Sequence, residues 1–192
     1  RVCSAQLHKE LSGTQNFFLT FEGKKAGTFK KPEHLQKLFE IQQFINTSGL
    51  FDSSLSLPNH IALINKEMNE GKPEEYRIPD KADLVPQYLL FFTSSDLERY
   101  VSPDYSKTNI IVRHNISSSV DLKNALKKLD EVIGKTLGPK PKIRHKSTGE
   151  CILINKAADS IAQGQLQSLG VLLFVLFTMM SILFMRLKAG FD

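Results

Sequence analysis

The side chains best suited to chemistry are scattered through this sequence rather than gathered in motifs. The five histidines include no pair four residues apart, the spacing that places two metal ligands on one helix face: His8, His34, His60, His114 and His145. The sequence contains no Gly-x-Ser-x-Gly turn, phosphate-binding glycine loop, Gly-x-Gly-x-x-Gly fingerprint or His-Glu-x-x-His pair. We therefore predict no catalytic residue, no metal site, no cofactor and no enzymatic activity.

The two cysteines, Cys3 and Cys151, are far apart and belong to no metal-binding motif. A disulfide between them requires an oxidising compartment, and the sequence leaves this pairing open. Single carboxylates such as Asp52 and Asp96 fall in predicted loops. We expect them to cap helices or stabilise turns there, rather than to act on a substrate.

A basic run lies near the end of the predicted domain: Lys140, Lys142, Arg144, His145 and Lys146. Close to a membrane, each such charge gains about 1 kcal/mol from anionic headgroups. The alternative is a solvated strand whose charges discourage edge-to-edge pairing, and we favour this alternative. The net charge of the chain is +5, and no stretch is basic enough for a nucleic-acid-binding arm, so we predict no nucleic-acid partner.

The most distinctive stretch of the sequence is residues 166–185, which are mostly apolar and carry no charge. About 20 residues of α-helix cross the roughly 30 Å hydrocarbon core of a bilayer. A buried core helix is the alternative, but such a helix rarely runs this long without a polar face. We therefore predict a transmembrane helix, preceded by helix from about residue 152 and ending near residue 188.

Charge indicates how this helix is oriented. Arg186 and Lys188 follow the apolar run at once, whereas residues 162–165 at its entrance are neutral. The positive-inside rule then places the C-terminal end in the cytoplasm and residues 1–160 outside, which in a bacterium means the periplasm. Gly164 and Ser168 have the small-xxx-small spacing that lets another helix approach closely, which fits a helix that belongs to a bundle.

The rest of the chain has the composition of a folded domain. Hydrophobic residues make up 41% and charged residues 23% of the sequence. We predict a lead-in segment over residues 1–16, with a short helix around residues 7–11, and a domain over residues 17–151. The sequence starts with Arg1 and ends soon after the membrane exit, so we expect it to be a piece of a longer polypeptide.

Hydrophobic periodicity predicts strands at residues 16–22, 50–57, 107–114 and 140–146. One helix opens at Pro32, presents Leu35, Leu38, Phe39, Gln42 and Ile45 on one face, and stops at Gly49. Another starts at a capping box of Ser118 and Asp121, carries an apolar face and closes at residues 138–139. This face consists of Leu122, Leu126, Leu129, Ile133 and Leu137.

Between these elements lies a predicted helical insert, at about residues 56–93. Its first helix is capped by Ser56, includes Pro58, and is lined by Leu57, Ile61, Ile64 and Met68. After a polar loop over residues 72–79, a second helix is capped by Asp80 or Asp83, and we place its start near Asp83. Pro86 fits this helix only in its first turn, and its apolar residues are Leu84, Tyr88, Leu89, Phe91 and Phe92. Without the insert, the order is the split βαβ pattern of an α+β, ferredoxin-like domain.

Several stretches occur in an order that resembles one family of membrane proteins. They are Gly27-Thr28-Phe29 with Pro32-Glu33-His34-Leu35, Ser56-Leu57 with Met68-Asn69, Tyr76-Arg77-Ile78-Pro79, Gln87-Tyr88-Leu89-Leu90, Asp104-Tyr105 before Asn109-Ile110-Ile111-Val112, and Thr148-Gly149. Two more flank the membrane segment: Gly164-Gln165-Leu166-Gln167-Ser168-Leu169 and Phe184-Met185-Arg186-Leu187-Lys188-Ala189-Gly190. Together, over residues 17–192, they resemble the large extracytoplasmic loop and following helix of the resistance–nodulation–division (RND) superfamily, in its MMPL-like hydrophobe-exporter branch.

The resemblance implies a ferredoxin-like porter domain in a proton-driven, multi-pass exporter of the inner membrane that moves hydrophobic or lipid-like molecules. Its partners would be membrane lipids, the remaining transmembrane helices and a second porter domain of the same protein; homo-oligomerisation stays open. Pro86 departs from the family pattern. No acidic residue occurs in residues 166–185, so a proton relay would lie in other helices.

No substrate contact carries over from the family residue by residue. The apolar faces bearing Phe39, Ile61, Ile64, Phe91 and Phe92 are candidates for lining a substrate groove, with ordinary core as the alternative. A rival interpretation of the whole chain is a single-pass, membrane-anchored extracytoplasmic binding or sensor domain. A membrane-anchored hydrolase is disfavoured because the sequence has no catalytic motif.

Overall fold

The computed structural model describes residues 15–138 and 141–189, with side chains described as far as residue 183. By its contacts the chain divides into two compact units, residues 1–152 and residues 153–192. The predicted lead-in helix around residues 7–11 and the Cys3 half of the candidate disulfide lie outside the described residues. So do Lys140 of the basic run and Pro139 of the predicted helix stop.

The first strand and helix form where the sequence predicts them. Strand β1 spans Gln15–Gly23, and helix α1 spans Pro32–Thr47. Gly27 has a φ of 73° and starts the short 3-10 turn Thr28–Lys30, which buries Phe29. Pro32 stands in the first turn of α1, where its missing N–H costs no hydrogen bond. The predicted apolar face of α1 is confirmed, since all five of its residues are buried.

The second strand–helix pair also matches its pattern. Strand β3 spans Lys107–His114, and helix α5 spans Ser119–Leu137. The Ser118 hydroxyl accepts a hydrogen bond from the Asp121 N–H, which caps the helix as predicted. Gly138 follows the last turn with a φ of 85°, a backbone conformation that residues other than glycine rarely adopt.

The four strands form one antiparallel sheet in the order β2-β3-β1-β4, with β2 at Ser53–Ser56 and β4 at Ile143–Thr148. Phe17 pairs with Val112 of β3, and Phe21 pairs with His145 of β4. Because β3 is antiparallel to both β1 and β2, strands β1 and β2 are parallel to each other. Helix α1 connects β1 to β2 across β3. By the same reasoning α5 connects the parallel strands β3 and β4 across β1.

The inner face of the sheet carries the core. Phe17, Leu19 and Phe21 of β1 are fully buried, as are Ile110 and Val112 of β3. Alternation along each strand puts these side chains on one face, where α1 and α5 supply their buried leucines and isoleucines. The core therefore lies between the sheet and these two helices.

The outer face of the sheet is partly exposed. The register places Leu55, Ile111 and Phe18 in one row across β2, β3 and β1. Leu55 is 41% exposed, and the other two are half-buried. A second row holds Glu22 between Lys107 and Arg144, at 3.1 and 3.2 Å. The Lys107 hydrogen bond, followed by the charges of Lys107 and Arg144, lowers the pKa of the Glu22 carboxyl.

The insert between β2 and β3 contains three helices: α2 at Leu57–Met68, α3 at Leu84–Leu89 and α4 at Ser94–Leu97. The sequence did not predict α4. Pro86 lies in the first turn of α3, as predicted, but neither candidate aspartate caps that helix with its side chain: Asp83 is at the N-cap without such a bond. Of the apolar residues predicted to line one face of α2, Met68 does not join the buried face, because it is 55% exposed.

A buried polar network holds α1, β2 and α2 together. Ser56 lies at the N-cap of α2, but its hydroxyl donates to Gln42 Oε1 and makes no capping bond, so its predicted capping role is wrong. The Gln42 amide donates to Asn59, which in turn donates to the Tyr76 hydroxyl. Gln42 and Ser56 are buried, and their mutual bonds offset the cost of removing them from water.

Two strand boundaries differ from the prediction. Strand β2 is limited to four residues of the expected eight. Strand β4 starts at Ile143, three residues later than residue 140, and runs on to Thr148. A Cβ atom on the following Gly149 would lie 2.8 Å from Phe17 Cβ and 3.0 Å from Phe17 Cα, so only glycine fits there without a backbone shift.

Helix α6 spans Glu150–Ala189 as one continuous element of 40 residues. It is long and apolar enough to cross a membrane, and the described side chains of its apolar window are not buried. Every side chain over residues 156–180 is exposed. The fold is therefore mixed α+β: a four-stranded antiparallel sheet with helices, followed by one long apolar helix.

Candidate functional site

One cavity of the domain unit is a cleft formed by α2, α4 and the residues on either side of α4. Its volume is about 520 Å³, within the range of cavities that hold small organic ligands. We call it the insert cleft. Its lining residues are His60, Phe92, Ser95, Asp96, Leu97, Arg99 and Tyr100.

Three rings form the walls of the insert cleft. The centroid of the His60 ring lies 4.9 Å from that of Tyr100 and 5.7 Å from that of Phe92. The interplanar angles are 61° and 66°, so both neighbours present an edge-to-face geometry. The His60 ring therefore stacks flat on neither neighbour.

One ring nitrogen of His60 lacks a hydrogen-bond partner among the described residues. This nitrogen, Nε2, is buried. Burial lowers the pKa of the His60 imidazole, which keeps the ring neutral at pH 7. Such an unsatisfied buried nitrogen costs free energy unless a ligand or water approaches it.

Two opposite charges line the same cleft without pairing. Asp96 and Arg99 are three residues apart, a spacing at which a carboxylate and a guanidinium often meet. Instead, Asp96 Oδ2 accepts from the N–H of Thr93 at 3.0 Å and from its hydroxyl at 2.6 Å. These bonds to Thr93, the side-chain bond first, lower the pKa of the Asp96 carboxyl. The predicted capping role of Asp96 is thus confirmed.

The structure separates the five predicted groove candidates. Phe39 and Ile61 are core residues, 4% and 0% exposed. Ile64 packs partly buried against the core. Phe91 is 62% exposed and contributes to neither the core nor the insert cleft, whereas Phe92 forms one cleft wall. Of the five, therefore, Phe92 is the one that reaches this cavity.

The basic run is distributed over an edge strand. The described part of β4 pairs only with β1, and two of its basic residues have local partners. Arg144 bonds Glu22 at 3.2 Å, and His145 Nε2 lies 3.4 Å from Asp130. Lys142 lines a smaller pocket of about 200 Å³ with Lys37 and His34. These contacts agree with the interpretation of a solvated edge strand.

A second buried histidine ties β3 to the start of α6. His114 is fully buried, and its Nδ1 accepts a hydrogen bond from the Ile116 N–H at 3.2 Å. The ring proton of neutral His114 is therefore on Nε2, which lies 3.6 Å from Cys151 Sγ. The thiol in turn lies 3.7 Å from the Asn16 carbonyl oxygen. Burial raises the pKa of the Cys151 thiol, so this pair has the character of a structural tether and not of a nucleophile and base.

We expect the stability of the domain to fall as the pH drops below about 6.5. Burial lowers the pKa of His114, with Asp52 acting in the opposite direction, and burial also lowers the pKa of His34 and His60. Between pH 6.5 and the lower pKa values of the folded state, these histidines bind protons in the unfolded chain but stay neutral in the folded chain. Lowering the pH through this range therefore favours unfolding. Thermal unfolding between pH 7.5 and 5 measures this loss.

The variant His114→Gln tests the histidine of these three that is fully buried. Glutamine keeps polar atoms at the site but cannot titrate, so we expect a lower stability at pH 7, by about 1–3 kcal/mol for the disrupted hydrogen bonds. Its pH dependence should be shallower than that of the unmodified chain. An equally steep pH dependence in the variant would assign the acid sensitivity to other groups.

The described residues, 15–138 and 141–189, contain no group of three or more potential metal ligands. The sequence had given no reason to single out His60, Ser95, Arg99 or Tyr100, because they come together only when α2 packs beside the end of the insert. One signal was available: the Thr93-x-x-Asp96 spacing is a capping box, and it predicts the short helix α4 that presents Asp96.

The chain was also compared with known proteins. Neither a family model nor a curated protein matches this sequence. The geometry of the insert cleft and the long apolar helix are thus the observations from which function is inferred.

Proposed function

We propose that this chain is the extracytoplasmic domain and one transmembrane helix of a proton-driven, RND-type exporter of hydrophobic or lipid-like molecules. The observation that carries the proposal is α6, a 40-residue helix with a charge-free apolar run. A helix of 40 residues is about 60 Å long, so it exceeds the roughly 30 Å hydrocarbon core by about 30 Å, or between about five and six turns. A simple anchor needs no such extension.

The topology of the domain supports the same proposal. The strand order β2-β3-β1-β4 with two helical crossovers is the arrangement expected of a ferredoxin-like unit, here with the insert between β2 and β3. The sequence stretches that resemble the RND superfamily follow one another along this chain in the order expected for that superfamily's extracytoplasmic loop. Several occupy turns and caps of the fold, for example Gly27 and Pro32.

In this mechanism, proton movement through other helices of the full protein would displace the bundle, and α6 would transmit the displacement to the domain. Residues 166–185 contain no acidic side chain, so this helix would transmit movement and would not relay protons. The charges of Arg186 and Lys188 favour an extracytoplasmic domain. The domain would then open and close a path for the substrate.

An efflux assay in cells tests the proposal. Cells that express the complete protein should retain less of a lipophilic fluorescent dye than cells in which residues 17–151 are deleted. A protonophore should abolish the difference, because the gradient is the energy source. Efflux that is insensitive to the protonophore, or unchanged by the deletion, would refute a proton-driven exporter.

The second candidate function is a membrane-anchored binding or sensor domain. The insert cleft favours it, since a cleft with aromatic walls and unpaired charges can bind a ligand without any transport. A single membrane helix is sufficient for this function. Ligand binding with no efflux in the cell assay would support this candidate over the exporter.

A further inference from the structure

The insert cleft combines an aromatic enclosure with a negative charge. Phe92, Tyr100 and His60 line it, the His60 ring stands at a steep angle to each of the other two, and Asp96 belongs to the same lining. Aromatic faces attract cations, and rings set at an angle surround the methyl groups of a quaternary ammonium from several sides. Because His60 is neutral, its ring adds aromatic surface and no competing positive charge.

The same lining also presents a free guanidinium. Arg99 makes no ion pair among the described residues, so its donors remain available. A guanidinium fits the oxygens of a phosphate with two parallel hydrogen bonds. The neighbouring Ser95 hydroxyl is a further donor on the cleft lining. Taken together, Asp96 and Arg99 give the cleft one negative and one positive charge, held apart because Asp96 bonds to Thr93.

We propose that the insert cleft binds a zwitterionic headgroup in which a quaternary ammonium is joined to a phosphate. The ammonium lies among Phe92, Tyr100 and His60 beside Asp96, and the phosphate lies at Arg99. A purely cationic ligand would leave Arg99 unpaired and a purely anionic one would leave Asp96 unpaired, whereas a zwitterion satisfies both. As a substrate class, this assignment rests on the proposed function; as a binding site, it holds equally for a membrane-anchored binding domain.

Two exposed apolar residues directly precede a cleft residue in the sequence. Leu90 is 84% exposed and Phe91 is 62% exposed, and both directly precede Phe92. Exposed neighbours of this size are available to acyl chains. The headgroup therefore belongs either to a lipid or to a free, water-soluble phosphodiester. Comparing a ligand that carries acyl chains with one that lacks them distinguishes these two sources.

The experiment uses the full chain in phosphatidylglycerol nanodiscs, which contain no ammonium group, with empty nanodiscs as the blank. Saturation-transfer NMR follows glycerophosphocholine during a titration by its trimethylammonium protons, and a ligand without that group by its glycerol protons. Choline, which lacks the phosphate, and glycerophosphoglycerol, which lacks the ammonium, are the comparison ligands. We expect each of them to bind about tenfold more weakly, since each loses one charged contact. No binding of glycerophosphocholine, or equal binding of all three ligands, would overturn the proposal.

Paired variants assign the contacts. Asp96→Asn keeps an acceptor for Thr93 but removes the charge, and it should weaken choline binding while leaving glycerophosphoglycerol unaffected. Arg99→Gln should do the reverse. Glu98→Gln and Arg113→Gln are the matched controls, because both residues are exposed and neither lines the cleft. Controls that weaken binding as much as Asp96→Asn and Arg99→Gln would show that surface charge alone attracts the ligand.

Phe92→Leu tests the aromatic wall with little change in volume, and it should weaken both glycerophosphocholine and choline. Dihexanoylphosphatidylcholine, used at monomeric concentration, then identifies the source. If dihexanoylphosphatidylcholine binds more tightly than glycerophosphocholine, and Leu90→Ser/Phe91→Ser removes this gain in affinity, the headgroup belongs to a lipid. Equal affinities of the two ligands support a free phosphodiester. Binding is measured without a proton gradient, so failure of this site and failure of the exporter function are separate results.

Discussion

Placing two charges in the middle of α6 should release the chain from the membrane. The variant Leu172→Asp/Leu176→Asp replaces two exposed leucines near the centre of the apolar run. On the insertion scale, each aspartate at the helix centre costs about 3 kcal/mol, so the pair costs about 6 kcal/mol, or about four powers of ten in the insertion equilibrium. With the 192-residue chain expressed behind a cleavable secretion signal, extraction of membranes with alkaline carbonate measures the loss.

The matched control places the same charges on the domain. Leu63 and Met68 of α2 are also exposed apolar residues, at 47% and 55%, and Leu63→Asp/Met68→Asp should remain in the carbonate-resistant membrane fraction. If the α6 variant also resists extraction, residues 166–185 do not cross the bilayer. Release of both variants would point to a general folding defect.

The elements that the sequence predicted well share one property: they carry a complete hydrophobic period. The alternating Phe17, Leu19 and Phe21 of β1 and the 3.6-residue stripe of α5 leave only one face for the core, so their positions could be predicted without a partner. The ends of the two helices were also marked, by Pro32 in the first turn of α1 and by Gly138 after α5.

The insert was harder to predict because its polar residues bond across long distances in the chain. A serine before a proline-containing helix is a good cap, yet Ser56 bonds to Gln42, which is buried 14 residues earlier on α1. Nothing local signals that a glutamine on a helical stripe will face this hydroxyl. Helix α4 has only four residues, too few to show a hydrophobic period, although Thr93 and Asp96 mark its start.

The candidate site could be predicted only in part for the same reason. Phe92 was expected to line a groove, and it does line the insert cleft. Phe91 resembles it in sequence but points outwards, because adjacent residues at the end of a helical segment face different directions. His60 has no sequence signal at all, since its partners Phe92 and Tyr100 lie more than thirty residues away along the chain.

The variant Phe17→Ala removes a ring from the core on the inner face of the sheet. Phe17 is fully buried, and its ring centroid lies 5.5 Å from that of Phe51 and 5.7 Å from that of His114. Gly149 packs against its Cα and Cβ atoms, so the backbone there cannot close over a cavity without a further shift. We expect a loss of about 3–5 kcal/mol in the free energy of unfolding.

The neighbouring residue is a control of the same type on the other face of the strand. Phe18 is half-buried and lies on the outer face beside Ile111, so Phe18→Ala should cost about 1 kcal/mol, well below the cost at Phe17. Denaturant unfolding followed by circular dichroism measures both. Equal losses would mean that the outer face is covered as fully as the inner one, and a larger loss at Phe18 would reverse the assignment of the faces. The comparison is sensitive because a register shift of one residue exchanges the two side chains, which makes the order of the two losses a direct test of the sheet.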